Sequence, residues 1–121
     1  MQVEIREEER LDDLELKGLK IIQDPSKFCF GIDAVLLSDF TKVKPGENVL
    51  DIGTGTGIIP LLLSAKTAAK YIKAVEIQPD MADMAKRSVL YNNLQDRIEI
   101  ICNDIKRADS FIKKSSVDVV V

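Results

Sequence analysis

From residue 46 onward, short apolar runs alternate with longer segments in which apolar residues recur at helical spacing. The short runs predict buried strands at residues 48–52, 71–77, 97–102 and 117–121. The longer segments predict helices at residues 58–69 and 79–92, and a short helix or loop at 105–113. Strands that alternate with helices require right-handed crossovers. The pattern therefore predicts a doubly wound α/β fold with a partial parallel sheet of about four strands.

The first 45 residues predict a smaller unit made of an arm, a hairpin and a helix. Residues 18–23 form a short apolar run, and a Pro- and Ser-containing turn at 24–27 leads to a possible returning strand at 28–30. A short helix is predicted at residues 34–40, with Asp33 as its N-cap. Three apolar residues of that helix are expected to face the core: Val35, Leu36 and Leu37.

Composition narrows the classes of function. The 121 residues are 45% hydrophobic and 31% charged, which is typical of one globular domain. The absence of histidine excludes Ser-His-Asp and Cys-His sites and any His-ligated metal within the chain. The two cysteines, Cys29 and Cys102, cannot form a CxxC metal site, and this cysteine usage fits a reducing cytoplasm. With no apolar run of membrane-spanning length and no signal peptide, we expect a cytoplasmic protein without a metal or a membrane association.

The net charge of −3 is unevenly distributed. Residues 1–15 hold seven acidic and two basic side chains, which predicts a solvated N-terminal arm. The rest of the chain is close to neutral. Composition therefore gives no strong basic footprint of the kind that nucleic-acid-binding domains show.

A glycine-rich loop follows the first buried strand, with the sequence Asp51-Ile52-Gly53-Thr54-Gly55-Thr56-Gly57. Alternate glycines let the backbone turn tightly and approach a ligand, and the next helix points its N-terminal amides at the same place. Ile58 stands where a dinucleotide fingerprint has its third glycine, and no lysine follows as in a P-loop. Asp51 would repel a pyrophosphate, so it favours a cofactor with a cationic end.

Two further strands also end in polar residues. Glu76 ends the second strand, where a carboxylate can accept hydrogen bonds from ribose hydroxyls. The alternative is that Glu76 is only a solvent-exposed acidic residue of a loop. Asn103 and Asp104 end the third strand, where they would border an adenine ring, although Asp104 also suits a helix cap. Carboxyl ends of parallel strands form one ligand-binding edge.

These strand ends resemble the three cofactor motifs of class I S-adenosylmethionine-dependent methyltransferases: the glycine loop, Val75-Glu76-Ile77 and Cys102-Asn103-Asp104. The resemblance implies a Rossmann-like methyltransferase fold and S-adenosyl-L-methionine as cofactor. It implies that Asp51 orients the methionine end, that Glu76 holds the ribose and that Asp104 holds the adenine. The full set of cofactor-binding residues that it implies is Asp51, Gly53, Thr54, Gly55, Gly57, Glu76, Ile77, Asn103 and Asp104.

Two longer segments, FGIDAVLL at 30–37 and VEIQPDMADMAKRSVLYNN at 75–93, resemble bacterial tRNA(Val) adenine-37 N6-methyltransferases. That resemblance implies methyl transfer to an adenine exocyclic amine, with tRNA as the substrate of the full-length enzyme. The family's Asn-Pro-Pro-Tyr/Phe signature, which follows the fourth strand, does not occur in this sequence. We therefore assign no catalytic residue and expect an N-terminal portion of a longer enzyme that binds cofactor.

This interpretation divides the chain into residues 1–45, the arm, hairpin and helix, and residues 46–121, a cofactor-binding half-domain. It also leaves the last strand, 117–121, as an exposed edge through which copies of the chain could pair. Two alternatives stay open: a methyltransferase of the same fold acting on a protein glutamine or a small molecule, and a non-catalytic cofactor-binding module. A nicotinamide oxidoreductase is disfavoured by Ile58 and Asp51.

Overall fold

A computed structural model of the protein describes residues 2–27 and 31–121. Two strands and a helix come first: β1 (Arg10–Asp13), β2 (Lys20–Gln23) and α1 (Ile32–Phe40). Strands and helices then alternate: β3 (Asn48–Ile52), α2 (Ile58–Lys66), β4 (Tyr71–Glu76), α3 (Pro79–Tyr91) and β5 (Ile98–Cys102). A short 3-10 helix, η1 (Ile105–Ser110), and the two-residue strand β6 (Val119–Val120) follow. Among the described residues, no helix is long and apolar enough to span a membrane.

The four later strands form one parallel sheet in the order β5-β4-β3-β6. Apolar residues at alternate positions of the three longer strands belong to one buried cluster together with residues of α2 and α3: Val49, Ile72, Ala74, Ile98 and Ile100. Leu61 and Leu63 of α2 and Ile72 of β4 are completely buried in it. Burying such a side chain contributes about 1.5–3 kcal/mol, so this layer is the core of the fold. The predicted α/β class and four-stranded parallel sheet are confirmed.

Two prolines are accommodated where helices begin. Pro79 is the first residue of α3 and Pro60 the third residue of α2. Both lie among the first four helical N–H positions, which have no partner inside the helix, so neither proline removes a hydrogen bond. Helix α2 ends at Lys66, earlier than the predicted residue 69, because Thr67 is extended. Arg97 donates to carbonyls on both sides of that end: Ser64 in the last turn, and Thr67 and Ala69 beyond it.

The N-terminal hairpin is formed by a different pair of strands from the predicted pair. Strand β2 pairs antiparallel with β1, which lies inside the segment predicted to be a solvated arm. The predicted returning strand, 28–30, lies outside the described residues. The arm prediction is therefore wrong for residues 9–13. Residues 10–13 form β1, and the side chain of Glu9 is buried against Arg87 of α3, which donates to both of its carboxylate oxygens. Leu11 packs beside Ile22 in a second apolar cluster.

Helix α1 begins at Ile32, two residues earlier than predicted, and its N-cap is Gly31 rather than Asp33. Asp33 lies in the first turn, where its carboxylate interacts favourably with the positive end of the helix dipole. The core prediction is wrong for Leu36 and Leu37, which are 48% and 49% exposed, and Val35 is partly buried. The helix packs on α2 through another face, which includes the buried Ser38.

At the C-terminal end, β6 is shorter than the predicted strand 117–121 and lies at the edge of the sheet beside β3. Val121 extends the contact, because its N–H donates to the carbonyl of Leu50 and its carbonyl accepts from Ile52. Strand β3 is therefore paired on both sides near its carboxyl end. This pairing fixes the point at which the glycine loop leaves the sheet.

Candidate functional site

The glycine loop leaves the carboxyl end of β3 and enters α2. Gly53, Gly55 and Gly57 all have positive φ, at +72°, +60° and +93°. At Gly57 an added Cβ would also lie 3.3 Å from the Cβ of Ala85 in α3. The first amides of the loop are fixed to β4, since the N–H groups of Gly53 and Thr54 both donate to the carbonyl of Val75. The alternation of glycines is therefore required by the backbone, as predicted.

Two hollows open beside this loop at the carboxyl edge of the sheet. The larger, of about 470 Å³, lies between the loop and α1; the smaller, of about 150 Å³, lies between β3, β4 and β5. Gly53 and Glu76 line both hollows, so the two are neighbours. The residues of the larger hollow outside the loop include Gly31, Asp33, Ala34, Leu37, Ile58, Ile59, Glu76, Gln78 and Met81. A ligand with two distinct ends can occupy both hollows past Glu76.

Asp51 is a buried acid without full hydrogen bonding. It is 4% exposed, and its Oδ2, like the hydroxyl of Thr54, has no hydrogen-bond partner among the described residues. Burial raises the pKa of Asp51 from 3.8 to about 6; the nearby Thr54 side chain opposes this rise and the charge of Glu76 adds to it. Buried polar atoms are almost always satisfied in proteins, so two orphaned oxygens in one loop indicate a place where a ligand donates.

Glu76 is not a solvated loop acid, because it is 6% exposed. Its Oε1 accepts from the N–H of Gly55 at 2.8 Å, and its Oε2 accepts from the N–H of Gln78 at 3.0 Å. The carboxylate is therefore held at the junction of the two hollows. Each of its oxygens keeps a further lone pair for a ligand donor.

The third strand end lines the smaller hollow. Asn103 and Asp104 line it together with Ile77, which is exposed. Asp104 also caps η1, because its Oδ1 accepts from the N–H of Lys106 at 2.9 Å. The capping interpretation of Asp104 thus holds alongside its position in the hollow. Asn103 is fixed by its own N–H, which donates to the carbonyl of Glu76 at 3.2 Å.

Sequence reasoning missed most of the wall opposite the loop. Leu37 of α1 and Met81 of α3 line the larger hollow. Leu37 was expected in the core, and the spacing of apolar residues in 79–92 predicted only that Met81 belongs to a helix. Asp33 lines the larger hollow too, with Oδ1 2.8 Å from the place where a Gly31 side chain would begin. Helix α1 reaches this position through packing on α2, which residue spacing alone does not encode. In the described part of the chain, no group of His, Cys, Asp and Glu side chains is arranged to hold a metal ion.

Comparison with known proteins identifies the family. A model of the family described as ribosomal protein L11 methyltransferase (PrmA) matches residues 32–121. The chain belongs to this family. The match to the PrmA family includes the whole parallel sheet, the glycine loop and helix α1 that lines the larger hollow.

The curated relatives of this PrmA-family chain are named as tRNA methyltransferases. The tRNA1(Val) (adenine(37)-N6)-methyltransferase of Phocaeicola vulgatus is 36% identical over 105 residues, which are 87% of this chain and 43% of the relative. The enzyme of the same name from Tolumonas auensis is 36% identical over 91 residues, 74% of this chain and 38% of the relative. The chain thus spans about two fifths of the length of these curated relatives.

A solved structure supports the fold. The structure described as M. jannaschii TYW2 in complex with AdoMet superposes with a TM-score of 0.75 at 18% identity, and covers 99% of this chain and 53% of that one. At this identity the likeness concerns the fold. The predicted Rossmann-like fold is therefore confirmed by an independent structure.

Proposed function

We propose that this chain is the cofactor-binding part of an S-adenosylmethionine-dependent methyltransferase that acts on an adenine exocyclic amine in tRNA. In this proposal, residues 46–121 form the cofactor-binding half-domain, and residues 1–45 contribute the arm, the hairpin and helix α1. The observation that carries the cofactor assignment is the pair of orphaned oxygens, Asp51 Oδ2 and Thr54 Oγ1, beside a doubly held Glu76.

The residues fit S-adenosylmethionine end by end. The buried, unpaired carboxylate of Asp51 suits the ammonium of its methionine end, since a buried charge is stabilised by an opposite charge. Glu76 has free lone pairs for the ribose hydroxyls. The smaller hollow offers the apolar Ile77 for one face of the adenine and polar Asn103 and Asp104 for its edge. The glycine loop of Gly53, Thr54, Gly55 and Gly57 allows the close approach that all three contacts need.

The cofactor, when bound, supplies an electrophilic methyl group on a sulfonium. The part of this chain is to hold it in one orientation and keep the methionine end away from water, which are positioning effects. The amine-methylating step needs groups that accept from the target nitrogen and stack on its base. The signature that would supply them, Asn-Pro-Pro followed by an aromatic residue, does not occur in the 121 residues. We therefore expect cofactor binding without methyl transfer from this chain alone.

Calorimetric titration with S-adenosylhomocysteine and with NAD+ tests the cofactor. We expect saturable binding of the first and no binding of the second, because Asp51 repels a pyrophosphate. A Thr54→Val variant, which removes one orphaned oxygen at nearly constant volume, should bind S-adenosylhomocysteine more weakly than the wild type. Tight binding of NAD+ would contradict the proposal.

The acceptor needs a separate test, since the relatives' name points to tRNA while the family description points to a ribosomal protein. Deleting the encoding gene should leave adenine 37 of tRNA1(Val) without its N6-methyl group, as measured by mass spectrometry of the purified tRNA. Methylation of ribosomal protein L11 should be unchanged in the same cells. The reverse result would favour the second candidate, a protein methyltransferase, which rests on the family description.

A further inference from the structure

The carboxylate of Glu76 joins two parts of the backbone that meet at the site. It is the last residue of β4, and its side chain accepts from Gly55 in the middle of the glycine loop and from Gln78 at the start of α3. Hydrogen bonds to a charged acceptor are about twice as strong as neutral ones. The side chain therefore acts on the protein's own backbone before any ligand is present.

The middle of the glycine loop is held by Glu76, whereas both ends of the loop are held by backbone hydrogen bonds. Its first amides, at Gly53 and Thr54, are held by the carbonyl of Val75, and its end is held by the bond from Gly57 N–H to the carbonyl of Thr54. Between these anchors lies Gly55, with φ +60° and its N–H directed to Glu76. A glycine visits both signs of φ readily, so the hydrogen bond to Glu76 restrains a residue whose own backbone is permissive.

We propose that Glu76 is a positioning residue for the glycine loop, in addition to its role toward ribose: it holds Gly55 in the conformation that receives the cofactor. The inference rests on the proposed function in so far as the ligand carries ribose hydroxyls. A carboxylate has about four lone-pair sites, and the two backbone amides use two of them. Ligand hydroxyls can therefore bind without displacing the amides, and the loop needs no reorganisation on binding.

Two ligands separate the two roles. S-adenosylhomocysteine carries both ribose hydroxyls, and its dideoxy analogue carries neither. If Glu76 contacted ribose alone, Glu76→Ala would bind the analogue as tightly as the wild type does. Because the loop also depends on Glu76, we expect Glu76→Ala to bind the analogue about tenfold more weakly, the change in Kd that one lost hydrogen bond to a charged group produces. Equal affinity of the two proteins for the analogue would overturn the inference.

Conservative and control variants sharpen the titration. Glu76→Gln keeps one acceptor oxygen, so its loss of affinity for the analogue should lie between those of the wild type and Glu76→Ala. Glu99→Ala removes an exposed glutamate on the neighbouring strand β5 and should bind both ligands as the wild type does. A Glu76→Gln variant as weak as Glu76→Ala would contradict an acceptor role for the side chain.

A ligand-free measurement keeps the inference separate from the proposed function. In the free, ¹⁵N-labelled protein, the Gly55 amide should exchange with solvent at least about tenfold faster in Glu76→Ala than in the wild type, with partial restoration in Glu76→Gln. The amide of Ile72, inside the sheet, reports global stability and should change less. Failure of the wild type to bind S-adenosylhomocysteine would refute the proposed function, whereas unchanged exchange at Gly55 would refute the positioning role.

Discussion

Replacing Asp51 by asparagine should make the free protein more stable and its ligand complex weaker. Asp51 is buried with one oxygen unpartnered, and its pKa is about 6 instead of 3.8. The folded state thus binds this proton more tightly than the unfolded state does. Stability from this group is greatest at low pH, and it falls as the pH rises through about 6 and the folded protein must hold the charge.

The size of the effect follows from the shift. The rise of the pKa from 3.8 to about 6 corresponds to a loss of about 3 kcal/mol in the free energy of unfolding when Asp51 is ionised, since a pKa difference of one corresponds to about 1.36 kcal/mol. Asp51→Asn removes the charge, and its amide can donate to the orphaned hydroxyl of Thr54. The variant should therefore gain up to about 3 kcal/mol over the wild type above about pH 7, and almost nothing near about pH 4.

Urea denaturation of both proteins between about pH 4 and pH 8 measures this difference. Any constant effect of the amide on packing is independent of pH, so the slope of the difference is diagnostic. Asp96→Asn, in the exposed turn before β5, controls for the general effect of replacing a carboxylate by an amide. A difference between Asp51→Asn and wild type that stays constant over the whole range would refute a buried, pH-dependent charge at Asp51. At about pH 8, Asp51→Asn should bind S-adenosylhomocysteine at least about tenfold more weakly, because it loses the charge opposite the ligand's ammonium.

Two further variants probe the scaffold around the site. Arg87→Ala should lower the free energy of unfolding by about 3 kcal/mol in urea denaturation, because it leaves the buried carboxylate of Glu9 without its cation; a loss below about 1 kcal/mol would show that the N-terminal arm contributes little. Gly57→Ala should cost more stability than Gly46→Ala, measured by thermal unfolding. Both glycines have positive φ, but only at Gly57 would the new Cβ meet another side chain, Ala85, at 3.3 Å; equal losses would refute this steric argument.

The sequence predicted the parts of the fold that depend on burial. The strands β3, β4 and β5 carry apolar residues that pack in one core with α2 and α3, so these strands can be recognised from the sequence alone. The glycine loop was equally predictable, since positive φ at alternate positions demands glycine. The strand-end position of Asp51 and Glu76 then follows, because parallel strands end at one edge.

The N-terminal third was harder to predict, because its structure depends on distant partners. Strand β1 contains a single apolar residue, Leu11, and no pattern identifies Arg10–Asp13 as a strand. It is fixed by pairing with β2, while β2 is fixed by α3, where Ser88 accepts from the N–H of Ile22. Asn92 adds a second tie, since its amide bonds both the N–H and the carbonyl of Lys20. Such side-chain contacts across 66 and 72 residues leave no local signal.

The three acids at the strand ends share a location and differ in what satisfies them. Glu76 is held by two backbone amides and Asp104 by the first turn of η1, whereas Asp51 keeps an orphaned oxygen. An acid that is already satisfied shapes the site at little cost to the fold. An acid that is buried and unsatisfied destabilises the folded protein in the absence of a ligand. A cationic group that pairs with it removes this destabilisation, and the free energy so gained contributes to the affinity for the ligand. Glu76 and Asp104 thus hold the backbone at the edge of the sheet. For Asp51 we expect the other task, selection of a ligand that carries a positive charge.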